Sequence, residues 1–177
     1  NGHGMDAWKA VRDNDYIFGQ FLWTGIDYLG ESHAWPSRGF VSGLIDLAGF
    51  IKPRGYFRQS LWSDHPVIYI GTFRKSRGAF NASYDAPPLW NYREGDTIQV
   101  VCYTNCRQVQ LLLNGQLAGP ARDYNDETGF LVWDLPYRPG KLEAIGYNSG
   151  IETARTSVET SKRPYAIRAH ALNEEIS

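Results

Sequence analysis

The sequence predicts a mainly β protein in which a short βα unit precedes an antiparallel β-sandwich of immunoglobulin-like type. From Val67 onward, short runs of strand-forming residues alternate with turn signals over about 110 residues. Before that point, one apolar run leads into a long irregular loop and then an amphipathic helical stretch. We therefore place a domain boundary near residue 64, between residues 1–63 and residues 64–177.

The first part contains two predicted helices and one predicted strand. The helix Met5–Arg12 carries apolar residues at three-residue spacing, at Met5, Trp8 and Val11. The run Ile17–Trp23 is apolar on both faces, which is typical of a parallel strand covered on both sides. Pro53 suits a first helical position, and the helix Arg54–Trp62 would carry one apolar side, formed by Tyr56, Phe57, Ser60 and Leu61. A single βα unit cannot close a core by itself.

The second part has the pattern of a sandwich. Its predicted strands are Val67–Phe73, Thr97–Thr104, Val109–Leu113, Gln116–Ala118, Gly129–Leu135, Lys141–Tyr147, Ile151–Thr160 and Tyr165–Ala171. Asn114-Gly115 between two of these runs predicts a β-hairpin, because both turn residues need positive φ. The polar insert Arg74–Arg93 is interpreted as a surface excursion or as the cover of a sheet edge, with Tyr84 and Trp90 as weak candidates for sugar binding.

Composition excludes several classes of partner and site. A net charge of −1 gives no electrostatic basis for binding nucleic acid or an anionic membrane, and no apolar run approaches the roughly 18 residues of a membrane span. Cys102 and Cys106 on one extended strand would lie ~13 Å apart, too far for a disulfide, although a tight turn could change that. We expect free, buried thiols. With no neighbouring His, neither a metal site nor a cofactor is predicted.

Polar and aromatic residues follow the predicted strand Ile17–Trp23 closely. This pattern indicates a strand whose carboxyl end delivers side chains into a site, and the long loop that follows is of a kind that often carries function. The candidate substrate-binding residues are Trp23, Asp27, Glu31, His33, Trp35 and Arg38. Asp27 could equally bind a ligand or orient the loop. For each single loop residue, a solvated position without ligand contact is the favoured alternative.

Two blocks of the first part resemble glycoside hydrolase family 2, in particular β-galactosidase-like enzymes of Bacteroidetes. Phe21–Glu31 is similar to the last strand of that family's (β/α)8 barrel, and Gly43–Arg54, with Tyr56 and Trp62, is similar to the lead into the final barrel helix. Residues 64–177 are similar to the sandwich that follows the barrel. The markers there are Tyr103–Cys106, Val109–Gly115 and Trp133–Tyr137, with Pro139–Leu142.

The resemblance implies a β-linked glycan as substrate and hydrolysis with retention. The family uses two glutamates, at the ends of the fourth and seventh barrel strands, and retaining chemistry needs the two carboxyls about 5 Å apart. By the order of elements, this chain begins after the seventh strand, so both glutamates would lie upstream and no catalytic residue is assigned here. The chain is then expected to be a carboxyl-terminal fragment, inactive alone, of a periplasmic or secreted enzyme.

The resemblance also implies a role and a geometry for Trp23. Its ring would form part of the wall against the bound sugar, and the peptide bond between Trp23 and Thr24 is expected to be cis. Since the barrel partners of Ile17–Trp23 and of one face of Arg54–Trp62 are missing, we expect self-association through residues 1–62 or a rearranged fold there. Two other functions are compatible with the sequence: a non-catalytic carbohydrate- or partner-binding sandwich, and a small complete enzyme using Asp27, Glu31 or His33.

Overall fold

The structure, a computed structural model, describes residues 3–32, 34–75 and 84–162, which form two short helices and ten strands. The first part holds α1 (His3–Arg12), β1 (Tyr28–Leu29), β2 (Gly39–Phe40) and α2 (Pro53–Trp62). The second part holds β3 (Ile68–Arg74), β4 (Thr97–Thr104), β5 (Gln108–Leu113), β6 (Gln116–Leu117), β7 (Arg122–Asp123), β8 (Phe130–Pro136), β9 (Lys141–Asn148) and β10 (Ile151–Glu159).

Strands β3 to β10 build two antiparallel sheets. One sheet has the order β3-β4-β8; the other has the order β10-β9-β5-β6, with β7 also pairing with β5. The main core lies between them because alternate residues of each strand point inward, such as Ile98, Val100 and Cys102 on β4 and Leu142 and Ala144 on β9. The predicted mainly β fold with an antiparallel sandwich is confirmed.

The turn chemistry of the sequence sets the strand register. Asn114 and Gly115 lie at φ 53° and 78°, and Leu113 pairs directly with Gln116 across this two-residue turn. The same geometry recurs at Ser149 and Gly150, with φ 51° and 77°. Both turns join strands at points where the sequence predicted a break. Because a slip of one residue would turn the apolar set outward, these turns fix which side chains enter the core.

The segment 84–92 lies against β3 and enters the core, so it is more than a surface excursion. Thr72 N donates to Pro87 O at 2.9 Å, and a Cβ on Gly71 would lie only 2.0 Å from Ala86 O. Glycine at position 71 therefore lets this segment approach the sheet. Trp90 is buried in the main core and donates its Nε1 to Arg138 O at 3.0 Å. The interpretation of Trp90 as a sugar-binding side chain is wrong for that reason.

The two helices pack on the outer face of the β3-β4-β8 sheet. A second apolar cluster joins Met5 of α1 and Phe57 of α2 to Tyr69 on β3 and to Val101 and Tyr103 on β4. The Phe57 ring meets the Tyr103 ring edge to face, with centroids 5.5 Å apart. The sandwich thus supplies the partner that a single βα unit lacks, and both predicted helices are present.

Asn105 connects the helices to the sandwich through the linker that precedes β3. Its Nδ2 donates to Ser63 O and His65 O, at 2.9 and 2.8 Å, and its Oδ1 accepts from Val67 N at 2.7 Å. One side chain therefore satisfies three backbone groups of the linker. This explains why an asparagine directly follows β4.

The predicted strand Ile17–Trp23 is wrong in this structure. The run forms no strand and pairs with no strand of the described chain, and Phe18 and Phe21 are 91% and 90% exposed. A strand requires a neighbour that accepts and donates its backbone hydrogen bonds, and apolar periodicity alone does not supply one. The predicted strand Tyr165–Ala171 lies outside the described residues.

Both cysteines are free and buried, as expected. Cys102 lies within β4, whereas Cys106 follows the end of that strand. Neither of the two helices is long and apolar enough to cross a membrane.

Candidate functional site

A cavity of about 330 Å3 opens beside Trp23, between residues 22–24, α2 and the segment that covers β3. Its lining residues are Leu22, Trp23, Thr24, Ser42, Leu44, Arg54, Phe57, Arg58, Tyr84 and Asp85. Trp23 is 74% exposed, which leaves most of the indole free for contact with a ligand. Among the described candidates from the sequence, Trp23 and Tyr84 line this cavity, whereas Asp27, Glu31, Trp35 and Arg38 do not.

Trp23, Tyr28 and Glu31 form a continuous group. The Trp23 and Tyr28 rings meet edge to face with centroids 6.4 Å apart, and the Tyr28 hydroxyl donates to Glu31 Oε2. That hydrogen bond to the Glu31 carboxylate raises the pKa of the Tyr28 phenol. Tyr28 also stacks on Phe40, its cross-strand partner on β2, at 5.6 Å. The tyrosine therefore joins the indole to the loop that follows β1.

Asp27 is buried and its carboxylate is turned toward the protein. Oδ1 accepts from Gly43 N at 2.7 Å, and Lys52 Nζ donates to both oxygens at 2.8 and 3.0 Å. The same ammonium donates to Val41 O at 2.7 Å. Of the two alternatives left open for Asp27, this geometry is that of a residue that orients the loop. A Cβ on Gly43 would lie 2.3 Å from Asp27 N, so glycine is required for this close approach.

The loop between β1 and β2 carries the other candidates. Tyr28 and Leu29 pair with Phe40 and Gly39, and Gly30 N donates to Arg38 O at 3.2 Å, which closes the loop at its base. Trp35 and Arg38 are exposed. His33 lies outside the described residues. The hairpin thus brings Glu31, Trp35 and Arg38 to one exposed loop, next to Tyr28 and Trp23.

Comparison with known proteins finds that the chain is similar to parts of glycoside hydrolases. Residues 95–154 match a family described as a domain of unknown function (DUF4982). The chain is 35% identical, over 92% of its length, to the β-galactosidase BoGH2A of Bacteroides ovatus, of which it covers 18%. It is 33% identical to a putative β-glucuronidase of Formosa agariphila, over 93% of the chain and 15% of that protein. A solved glycosyl hydrolase family 2 member from Bacteroides cellulosilyticus superposes with a TM-score of 0.75 at 34% identity, over 92% of this chain and 22% of that one.

The chain is a homologue of family 2 glycoside hydrolases. It spans less than a fifth of the length of the two curated relatives. The match includes both the segment around Trp23 and the sandwich, because more than nine-tenths of the chain is aligned. The resemblance read from Phe21–Glu31, Gly43–Arg54 and the sandwich markers is confirmed.

The peptide bond between Trp23 and Thr24 is cis in this family 2 homologue, as the resemblance implied. A second cis bond joins Trp35 and Pro36 in the loop. Glu31 lies at φ 43°, directly after Gly30 at φ 92°, so the chain reverses direction as it leaves β1. This reversal brings the Glu31 carboxylate back toward Tyr28.

The charged side chains that line the Trp23 cavity were not predicted from the sequence. Arg54, near the start of α2, pairs with Asp85, with Nε donating to Oδ1 at 3.3 Å. This hydrogen bond with Asp85 raises the pKa of Arg54. Arg58 Nη1 donates to Gln20 Oε1 at 3.2 Å. Both arginines belong to a helical pattern that the sequence marks as solvent-facing, and only the approach of the segment at Tyr84 turns them into a cavity wall.

Within the described part of the chain, the side chains that could ligate a metal are dispersed. Across residues 3–32, 34–75 and 84–162, the structure brings no three or more His, Cys, Asp or Glu side chains together in a ligating arrangement. The carboxylates near Trp23 are instead engaged with Lys52, Tyr28 and Arg54.

Proposed function

We propose that this chain is the end of the catalytic barrel, residues 1–63, together with the following sandwich, residues 64–177, of a retaining β-glycosidase of β-galactosidase-like type. The observation that carries the proposal is the alignment of 92% of the chain with a β-galactosidase of which it covers 18%. An exposed indole at the mouth of a cavity supports it further, since flat aromatic faces pack against the C–H faces of sugar rings.

In the intact enzyme, Trp23 forms part of the wall against the sugar of a β-linked glycan. The loop after β1 forms the rim, with Glu31, His33, Trp35 and Arg38 as the side chains that discriminate between substrates. Asp27 supports these sugar-contacting side chains from the protein side. By holding Gly43 N and Lys52 Nζ, it positions the segment after Trp23 against the start of α2.

The bond-breaking carboxylates belong to residues outside this chain. Retaining hydrolysis needs two carboxyls about 5 Å apart, one acting as acid/base and one as nucleophile. Glu31 is the only glutamate before Glu94, and its carboxylate is held by Tyr28. Glu127 and Glu143 lie in the sandwich and pair with Lys9 and Lys141. The chain alone therefore positions and selects a sugar without cleaving it.

The direct test is an assay of the purified 177-residue chain on nitrophenyl β-galactoside and nitrophenyl β-glucuronide. We expect no release of nitrophenol above the buffer rate. The control is the protein encoded by the complete reading frame, which should hydrolyse one of the two substrates. Turnover by the chain that disappears in Glu31→Gln would contradict the proposal, because it would place a catalytic carboxyl within these residues.

The distribution of apolar surface supports self-association of the isolated chain. Among the described residues, most exposed large apolar side chains fall between positions 16 and 62: Tyr16, Phe18, Phe21, Trp23, Ile26, Leu29, Trp35, Val41, Leu47, Phe50, Ile51 and Trp62. A further groove of about 290 Å3 follows the free face of α2, beside Ile51 and Trp62. Surface of this extent on a soluble domain marks an interaction site. In the whole enzyme it faces the rest of the barrel, and in the isolated chain it pairs with a second copy.

The location we propose for the whole enzyme is the periplasm or the extracellular space. The support is the likeness to the β-galactosidase of Bacteroides ovatus and to the family 2 member of Bacteroides cellulosilyticus.

A further inference from the structure

A second cavity, of about 490 Å3, opens at the β8 edge of the three-stranded sheet. It shares no lining residue with the cavity beside Trp23. Its walls include Lys75 after β3, Gln99 on β4, Arg122 and Asp123 on β7, and Phe130 and Asp134 on β8. The volume lies within the range of about 300–1,000 Å3 found for small-molecule sites.

Gln99 is the unusual residue of this cavity. It lies on the central strand of the sheet and points away from the main core, on the same face as Val101 and Tyr103. The side chain is only 2% exposed, yet its Oε1 has no hydrogen-bond partner among the described residues. Buried amide oxygens are almost always paired, so an unpaired one calls for an explanation, such as a missing donor.

The charges around Gln99 are balanced. Lys75 Nζ pairs with Asp134, and Asp123 Oδ1 accepts from Gln108 Nε2 at 2.8 Å. The Arg122 guanidinium lies over the Trp133 ring, 5.5 Å from its centroid. Two cations and two carboxylates therefore cancel, and the site attracts neither a strong anion nor a strong cation.

We propose that this cavity binds a neutral saccharide, independently of the site beside Trp23. Sugar hydroxyls both donate and accept hydrogen bonds, which suits a wall that alternates guanidinium, carboxylate and amide groups. A hydroxyl supplies the donor that Gln99 lacks, and the Phe130 ring offers an apolar surface to the C–H face of the sugar. The sandwich would then hold a glycan chain while the barrel acts on another part of it.

The test uses the full 177-residue chain labelled with 15N and titrated with D-galactose, lactose, D-glucuronate and D-glucosamine. We expect the neutral sugars to shift the Gln99 side-chain amide and the backbone signals of Asp123 and Phe130, with millimolar affinity. Gln99→Leu should weaken this binding about tenfold. The control Gln116→Leu, on β6 and outside the cavity, should leave the affinity unchanged. No shift of these signals with either neutral sugar up to about 0.1 M would overturn the proposal.

The thermal stability of Gln99→Leu and sugar binding by Arg122→Ala provide two further tests. Because Gln99 Oε1 lacks a partner, Gln99→Leu should keep or raise the Tm in the absence of sugar; a clear fall in Tm, or failure to fold, would mean that the amide is already satisfied and would overturn the proposal. Arg122→Ala, at an exposed position, should also weaken sugar binding. A preference for glucuronate that is lost in Arg122→Ala would identify an anion site and contradict a neutral ligand.

Discussion

Lys52 Nζ lies 2.8 Å from Asp27 Oδ1 and 3.0 Å from Asp27 Oδ2. This ion pair joins the segment that follows Trp23 to the residue that precedes α2. Both side chains are largely shielded from water, so the loss of one partner costs more stability than it would in an exposed pair. Together with the hydrogen bond from Arg58 to Gln20, it links the candidate sugar-binding segment to the helix that packs on the sandwich.

Removing Asp27 should therefore destabilise this link strongly. In Asp27→Ala, the Lys52 ammonium remains partly buried without its carboxylate, and we expect the free energy of unfolding to fall by about 2–3 kcal/mol. Urea unfolding of the variant and the parent measures this difference. Asp64→Ala, at an exposed position, is the control and should change it by less than about 0.5 kcal/mol. Equal effects of the two substitutions would show that the ion pair is not structural.

The packing of α2 on the sandwich depends on Phe57. This ring is 1% exposed and contacts Tyr84, Tyr103 and Phe130. Phe57→Ala should cost about 3–5 kcal/mol because it leaves a cavity between helix and sheet. Phe50→Ala, at a position 70% exposed, is the matched control. If Phe57→Ala unfolds at the same urea concentration as the parent, the helices do not pack on the sheet in solution.

Self-association should depend on the exposed aromatic side chains before Trp23. We expect sedimentation velocity to show a concentration-dependent shift to dimers or larger species for the parent chain. The double variant Phe18→Ser/Phe21→Ser should shift the distribution toward monomer. Leu117→Ser, which removes an exposed apolar side chain from the sandwich, should not. A parent chain that stays monomeric at high concentration would rule out this interface.

The buried thiols should be unreactive in the native protein. Burial raises the pKa of the Cys102 thiol above its ordinary value of 9.0, so the reactive thiolate is scarce at pH 8. We expect a disulfide reagent to titrate neither cysteine in native protein at pH 8, and both in denaturant. Rapid labelling of the native chain would show that the β4 region opens.

The raised pKa of the Cys102 thiol also predicts how the stability of the fold changes with pH. Since the folded state binds the thiol proton more tightly than the unfolded state, this contribution is complete below about pH 9 and decreases as the pH rises further. Burial raises the pKa of the Tyr69 and Tyr103 phenols in the same direction. Urea midpoints should therefore fall between pH 8 and pH 10.5, and Cys102→Val should reduce that fall.

Trp23 should matter for catalysis and not for folding. In the protein encoded by the complete reading frame, Trp23→Ala should lower kcat/KM at least tenfold, because the indole packs on the sugar. The free energy of unfolding of the 177-residue chain should change by less than about 0.5 kcal/mol, since Trp23 is 74% exposed. Leu117→Ala, at a position on the sandwich that is also 74% exposed, is the control for activity. Unchanged kcat/KM in Trp23→Ala would remove Trp23 from the sugar-binding wall.

Local signals in the sequence predicted much of the sandwich. Strand β4 was predicted with its observed bounds, and the hairpin at Asn114-Gly115 forms because two residues with positive φ are needed there. Helix α2 starts at Pro53. Proline suits the first helical position because its φ is already helical and its missing N–H would have no partner in the helix. These features depend on neighbours within a few residues, so the local sequence pattern is enough to predict them.

Other features depend on contacts between distant residues, and the sequence alone misassigned or missed them. Ile17–Trp23 has the composition of a buried strand, but no described strand pairs with it. Trp90 stands in a polar insert and yet enters the core, because Gly71 lets Ala86 approach the sheet. The Arg54–Asp85 pair joins residues 31 positions apart.

By itself, the sequence determined the mainly β fold, the turns, the two amphipathic helices and the likeness to family 2 glycoside hydrolases. Only the tertiary structure decided that the helices cover the outer face of the sandwich, that Asp27 faces Lys52 and that Gln99 is buried with an unpaired oxygen. The physical reason is that periodicity specifies which face of an element is apolar, whereas the partner of that face, and of each buried polar group, is set by how distant segments pack.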